Sequence, residues 1–194
     1  MMIEPPKETI NEASNLDKPV GVHKLGVLFM WSHPAHLVAM GLGSGLSPIA
    51  PGTAGTLWAW IFYVLIQPWM NEFQIALVVF LIWPLGWWVS SVTAKNMRVL
   101  DPGSVVIDEI AAFWLILWLL MPANFIEQIA AFILFRFFDA VKPGPVGWAD
   151  RLFKETGSTG NRRIWYKAGF GIMLDDLVAA GCTLLIMAFW RLAS

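Results

Sequence analysis

The chain is short of charge, cysteine and histidine, and each shortage excludes something. Of its 194 residues only 14% are charged, while 57% are hydrophobic. A soluble globule carries about 25% charged residues, so this chain cannot clothe an exterior in water. A bilayer removes that difficulty. The single cysteine, Cys182, permits neither an intramolecular disulfide nor a thiolate metal cluster. In an apolar segment it reads as a small buried hydrophobe. Basic runs are missing, and a formal net charge of −1 argues against nucleic acid as a partner. No Gly-Lys-Ser/Thr ending closes a glycine-rich loop, so no nucleotide cofactor is expected.

Apolar residues are what the chain has in plenty, with 12 Trp, 13 Phe and a mean hydropathy of +0.61. Residues 1–24 read as a polar tail with no secretory signal pattern, and residues 25–194 as one integral-membrane domain. Five apolar stretches follow the tail, at 54–70, 75–92, 110–121, 126–141 and 170–190. An earlier one, 25–42, is broken by His33, Pro34 and His36 and reads as an interfacial or re-entrant helix. The expected fold is all-α: a multi-pass transmembrane helical bundle of four or five spans plus that N-terminal helix. Pro84 and Gly86 predict a kink in the second span.

The last three stretches reach spanning length only if their charged residues enter the membrane zone. That places Asp108 and Glu109 in the first turns of the third helix, Arg136 and Asp139 in the last turns of the fourth, and Asp175 and Asp176 in the first turns of the fifth. Following the chain back and forth puts all of them on one face, together with the Gly43–Thr56 loop. The same face holds Lys95, Arg98, Lys142, Arg151, Lys154, Arg162, Arg163 and Lys167, whereas the two turns opposite hold no Lys or Arg. The positive-inside rule makes the charged face cytoplasmic.

Clustered carboxylates without nearby histidine or cysteine suit a hard, oxygen-loving ion such as Mg²⁺. Arg136 and Asp139, three apart, share a helix side as an ion pair or as parts of one site. Arg136 or Lys142 would grip a phosphate oxygen. The loop GLGSGLSPIAPGTAGT (41–56) offers close backbone approach and the hydroxyls of Ser44 and Thr53, and Thr53 would cap the first span. His36 reads as an interfacial histidine. Tryptophans such as Trp69, Trp114, Trp148, Trp165 and Trp190 read as anchors where they lie nearest span ends.

Four blocks carry a family resemblance: Gly43-Ser-Gly-Leu-Ser-Pro48 running into Pro51-Gly-Thr-Ala-Gly55, Val105-Val-Ile-Asp-Glu109, Phe135-Arg-Phe-Phe-Asp139 with Lys142-Pro143, and Gly169-Phe-Gly-Ile-Met-Leu-Asp-Asp176. In this order they resemble the bacterial phosphatidylglycerophosphatase A family, small multi-pass inner-membrane enzymes. Two departures stand out: Ala112 where the family resemblance leads one to expect glycine, and a longer polar insertion at 155–168. The resemblance implies Mg²⁺-dependent hydrolysis of phosphatidylglycerophosphate in the membrane to phosphatidylglycerol and phosphate. It implies metal ligands at Asp108, Glu109, Asp139, Asp175 and Asp176, and catalytic roles for Glu109, Asp139 and Asp175. Ser44, Thr53, Arg136 and Lys142 would bind the substrate phosphate. Histidine-nucleophile and Cys-x5-Arg phosphatases are excluded, because the three histidines precede residue 37 and Cys182 lies deep in the last span. The competing reading is a small carboxylate-lined cation transporter, which would favour charges at mid-membrane depth with access from both sides.

Overall fold

Among residues 22–152 and 162–193, which the computed structural model describes, every regular element is helical. The helices are α1 (Val22–Trp31), α2 (Pro34–Ala39), α3 (Pro51–Ile66), α4 (Glu72–Met97), α5 (Ile107–Leu120), α6 (Phe125–Val141), α7 (Pro145–Leu152) and α8 (Arg162–Ala193). Tight 3₁₀ turns at Gly41–Leu46 and Gln67–Trp69 flank α3. Residues 1–21 of the polar tail (1–24) and 155–161 of the polar insertion (155–168) lie outside the described residues, as do Phe153, Lys154 and Ser194.

Asparagine starts two of these helices. Asn71 accepts from the Gln74 amide and Gln74 returns the bond, a capping box that opens α4. Asn124 and Glu127 repeat the device at α6. Arg98 and Lys142, both in the left-handed region, end the same two helices. Pro84 stands inside a helix that runs unbroken from residue 72 to residue 97.

Two helices, α4 and α8, are long and apolar enough to cross a membrane. The others are shorter: α3, α5 and α6 have 16, 14 and 17 residues, which at 1.5 Å per residue reach only about 24, 21 and 26 Å. Large apolar side chains such as Phe80, Leu81, Ile133 and Leu185 stay exposed on the outer faces. A patch of that extent belongs against lipid or protein rather than water.

The centre of the bundle is α5, whose Phe113, Ile116 and Leu117 are fully buried. It packs on α3, α4 and α8, while α8 also packs on α6 and α7. Trp114, in the middle of α5, is part of this core: it is buried, and its indole nitrogen donates to the Ala59 carbonyl at 2.9 Å. Trp165 is buried as well, whereas Trp69, Trp148 and Trp190 are exposed. His36 is a core histidine. Its ring stacks on Phe29, Nδ1 lies 3.0 Å from the Phe29 carbonyl, and Nε2 lies 2.9 Å from the Asn96 amide nitrogen. Those bonds tie α1 and α2 to the end of α4.

The largest departure from the sequence reading concerns α8. Its apolar run begins near residue 170, but the helix begins at Arg162. Asp175 and Asp176 therefore stand about 20 Å into a 32-residue helix rather than in its first turns. The reason is that charged residues such as Arg163 and Lys167 are acceptable helix formers, so the apolar run marks where the helix meets an apolar environment and not where it starts. Register is set by packing: a Cβ on Gly86 of α4 would come within 2.7 Å of Met173 on α8, and Ile107 of α5 lies beside the same spot.

Candidate active site

Three short helices end or begin at the depth where α8 carries its aspartates. Asp108 and Glu109 occupy the first turn of α5, and Asp139 the last turn of α6. One oxygen each from Asp108, Glu109 and Asp176 lie within 4.8 Å of one another. Glu109 and Asp176 are buried, at 8% and 2% exposure. Asp108 Oδ1, Glu109 Oε2 and Asp176 Oδ2 are buried atoms with no hydrogen-bond donor. Three converging carboxylate oxygens without donors are costly on their own account, and a divalent cation is the partner such oxygens fit. An all-oxygen set suits Mg²⁺ better than zinc.

Asp139 joins this group through a cation as well as directly. Arg136 Nη1 is 2.7 Å from Asp139 Oδ2 and 3.8 Å from Glu109 Oε1, so the i, i+3 pairing expected on α6 is present. Asp139 is also near enough to Asp176 for the two carboxylates to repel each other. The Arg136 guanidinium donates to the Thr56 hydroxyl at 3.2 Å, and that hydroxyl donates in turn to the Gly52 carbonyl at 2.8 Å. Its Nε is buried and has no partner.

The glycine-rich loop reaches the acids at one residue. A Cβ on Gly52 would lie 2.2 Å from Glu109 Oε1 and 3.0 Å from an Arg136 nitrogen, so only glycine lets the start of α3 come this close. That start has no side-chain cap. The residue before it, Ala50, is left-handed, and Thr53 is the third residue of the helix, not its cap. The first intrahelical bond runs from Ala54 to Ala50, which leaves the Gly52 and Thr53 amides as first-turn donors of the kind that bind anions. Ser44 is not brought to this place by its bonds; its hydroxyl donates to Gly41 at 3.0 Å and closes its own turn.

Asp175 faces a different neighbour. Lys142 bonds both Asp175 and, at 2.5 Å, Asp150 of α7. Burial works against the charge on Lys142, but the bonds to the two carboxylates outweigh it and hold the ammonium above the ordinary lysine range. A cavity of about 30 Å³ beside them is bordered by Asp101, Asp150, Gly171 and Asp175, enough for a water molecule. Sequence reasoning missed Asp150. The signal was there in Pro143-Gly-Pro145, a turn that sends α7 back past Lys142.

The chain can now be compared with known proteins. Residues 37–191 match the family model described as PgpA: Phosphatidylglycerophosphatase A. Phosphatidylglycerophosphatase A of Escherichia coli is 40% identical over 168 residues, covering 83% of this chain and 88% of that protein. The protein of the same name from Haemophilus influenzae is 33% identical over 163 residues, 82% and 92% of the two chains. A Bacteroides thetaiotaomicron protein, provisionally named a phosphatidylinositol-3-phosphatase, is 35% identical over 166 residues, 80% and 92%. No solved structure matches the chain.

Proposed function

The chain belongs to the phosphatidylglycerophosphatase A family of lipid phosphatases, and from that premise we propose that it hydrolyses the terminal phosphomonoester of phosphatidylglycerophosphate with the help of Mg²⁺. The observation that carries the reading is the group of donorless carboxylate oxygens on Asp108, Glu109 and Asp176, set beside Arg136 and the open start of α3.

Asp108, Glu109 and Asp176 would hold the ion, with Asp139 and Asp175 completing the acidic set around it. When bound, Mg²⁺ supplies charge neutralisation at the phosphate oxygens and makes a nearby water more acidic. The protein's own groups do the rest. Arg136, with its unpartnered Nε, and the amides of Gly52 and Thr53 receive the phosphate oxygens and offset the charge that builds on them. Asp139 fixes the guanidinium in place. A carboxylate takes the proton of the attacking water: Glu109, whose Oε2 has no bond to give up, or Asp175, which borders the small cavity. Lys142, fixed between Asp150 and Asp175, orients the latter and is available to an incoming phosphate oxygen.

The proposed setting is the bacterial inner membrane, crossed several times, with the acids opening to the cytoplasm. Its support is the excess of Lys and Arg on the loops beside the acids. A cation transporter is the weaker reading, because Asp108, Glu109 and Asp139 gather at one end of α5 and α6, while Glu127 at the other end of α6 is bonded to Asn124 and Arg191. Purified protein in detergent should release inorganic phosphate from synthetic phosphatidylglycerophosphate, lose that activity in EDTA and regain it with Mg²⁺. Phosphatidylinositol 3-phosphate, assayed alongside, tests the headgroup. Ion flux in proteoliposomes without phosphate release would overturn the reading.

A further inference from the structure

Helices α3 and α6 both lean on the core, but not closely on each other: α3 packs on α5, and α6 on α8 with a lesser contact to α5. The seam between them is closed by side chains. At one end Arg136 reaches Thr56; a turn further along, the Trp60 indole donates to Gln128 Oε1 at 2.7 Å. Trp60 also stacks on Phe132 and Phe125 with centroids 5.6 and 5.8 Å apart. The next positions round the two helices, Leu57 and Val64 on α3 and Ile133 on α6, are 46%, 44% and 60% exposed.

We propose that one acyl chain of the lipid substrate lies in this seam, over Trp60 and Phe132, while its phosphate sits among Arg136, Gly52 and Glu109. The inference rests on the lipid-phosphatase reading and gives that reading an entry route. Three observations select hydrocarbon as the occupant. The polar atoms of Trp60 and Gln128 inside the seam are all bonded, Trp60 Nε1 to Gln128 Oε1 and Gln128 Nε2 to the Ala123 carbonyl, and leave nothing for a headgroup. The walls are aromatic and branched aliphatic. The seam is continuous with the phosphate end, since Arg136 and Thr56 form its last bridge. From Arg136 to Phe125 it offers about 16 Å of apolar length for a chain to follow. A lipid arriving sideways would thus deliver its phosphate to the acids without leaving the bilayer.

The test compares two phosphomonoesters with the same headgroup: diacyl phosphatidylglycerophosphate in mixed micelles and its water-soluble, deacylated counterpart. Leu57→Trp and Ile133→Trp add bulk at the mouth of the seam without touching the acids. The kcat/KM of the diacyl substrate should fall about tenfold relative to the deacylated one, mostly through KM. Leu81→Trp, at an equally exposed position on α4, should leave that ratio where it was. Phosphatidylglycerol bearing a diazirine on its acyl chain should label Leu57, Trp60 and Ile133 in the wild-type protein. An unchanged ratio in both seam variants, or labelling spread evenly over α4 and the seam, would overturn the proposal. Labelling of the seam by any bulk phospholipid, with an unchanged ratio, would make it an annular lipid site and overturn it too. Should wild-type protein release no phosphate from either ester, the functional reading itself falls, a result distinct from either of these.

Discussion

The two ends of the bundle solve the same problem in opposite ways. At the end away from the acids, α4 and α6 start with capping boxes, and Arg191 bonds both Glu127, at 2.8 Å, and the Pro122 carbonyl. Polar groups there are spent on one another. At the acidic end, α3 and α5 start on Ala50 and Val106 with no side-chain cap. Buried oxygens on Asp108, Glu109 and Asp176 and the Arg136 Nε are left without partners. Ala50 and Lys142 hold the left-handed conformation there, which non-glycine residues adopt at a cost. One end pairs its polar groups and the other leaves several buried ones unpaired, as the proposed ligand site requires.

Three substitutions would break or sharpen that contrast. Asp176→Asn removes one of the three converging carboxylates and should lower phosphate release about a thousandfold, while thermal melting in detergent without metal stays level or rises, because one buried like charge is gone. Unfolding of this variant would instead make the acids structural and erase the difference between the ends. Gly52→Ala places a methyl group 2.2 Å from Glu109 Oε1, and displacing that carboxylate should cost about a hundredfold in kcat/KM. Smallest is Asn124→Ala at the opposite end. Loss of the cap should cost about 1 kcal/mol and a few degrees of melting temperature, with turnover at room temperature unchanged. A drop in turnover would show that the two ends are coupled.

Much of the acidic end was legible in the sequence because helical spacing is arithmetic. Arg136 and Asp139 meet as i, i+3 neighbours should, and the short apolar runs of α5 and α6 put Asp108 and Glu109 at the same end as Arg136 and Asp139. The approach of the 41–56 loop was also legible, though not its point of contact: Ser44 was a candidate and Gly52, with no side chain at all, makes the touch. Hydropathy misplaced the start of α8, since an apolar run records environment and helix length is a backbone property. It left Trp114 without a partner, because a tryptophan facing the core and one facing headgroups look alike in a string. Asp150 went unseen for a similar reason. Its meeting with Lys142 depends on α7 folding back along α8; the Pro143-Gly-Pro145 turn signals the reversal but not which side chains it brings together.

The brevity of α3, α5 and α6 has a consequence for the lipid as well as the protein. In the membrane setting proposed above, a bilayer with a hydrocarbon core of about 30 Å would meet α3 and α6, which reach several ångströms less. Lipids relieve such a mismatch by thinning locally, which brings the headgroup plane down beside the start of α3 and the end of α6. The protein would thereby draw the phosphate layer toward its own carboxylates, so its turnover should slow in thicker membranes even with every side chain intact.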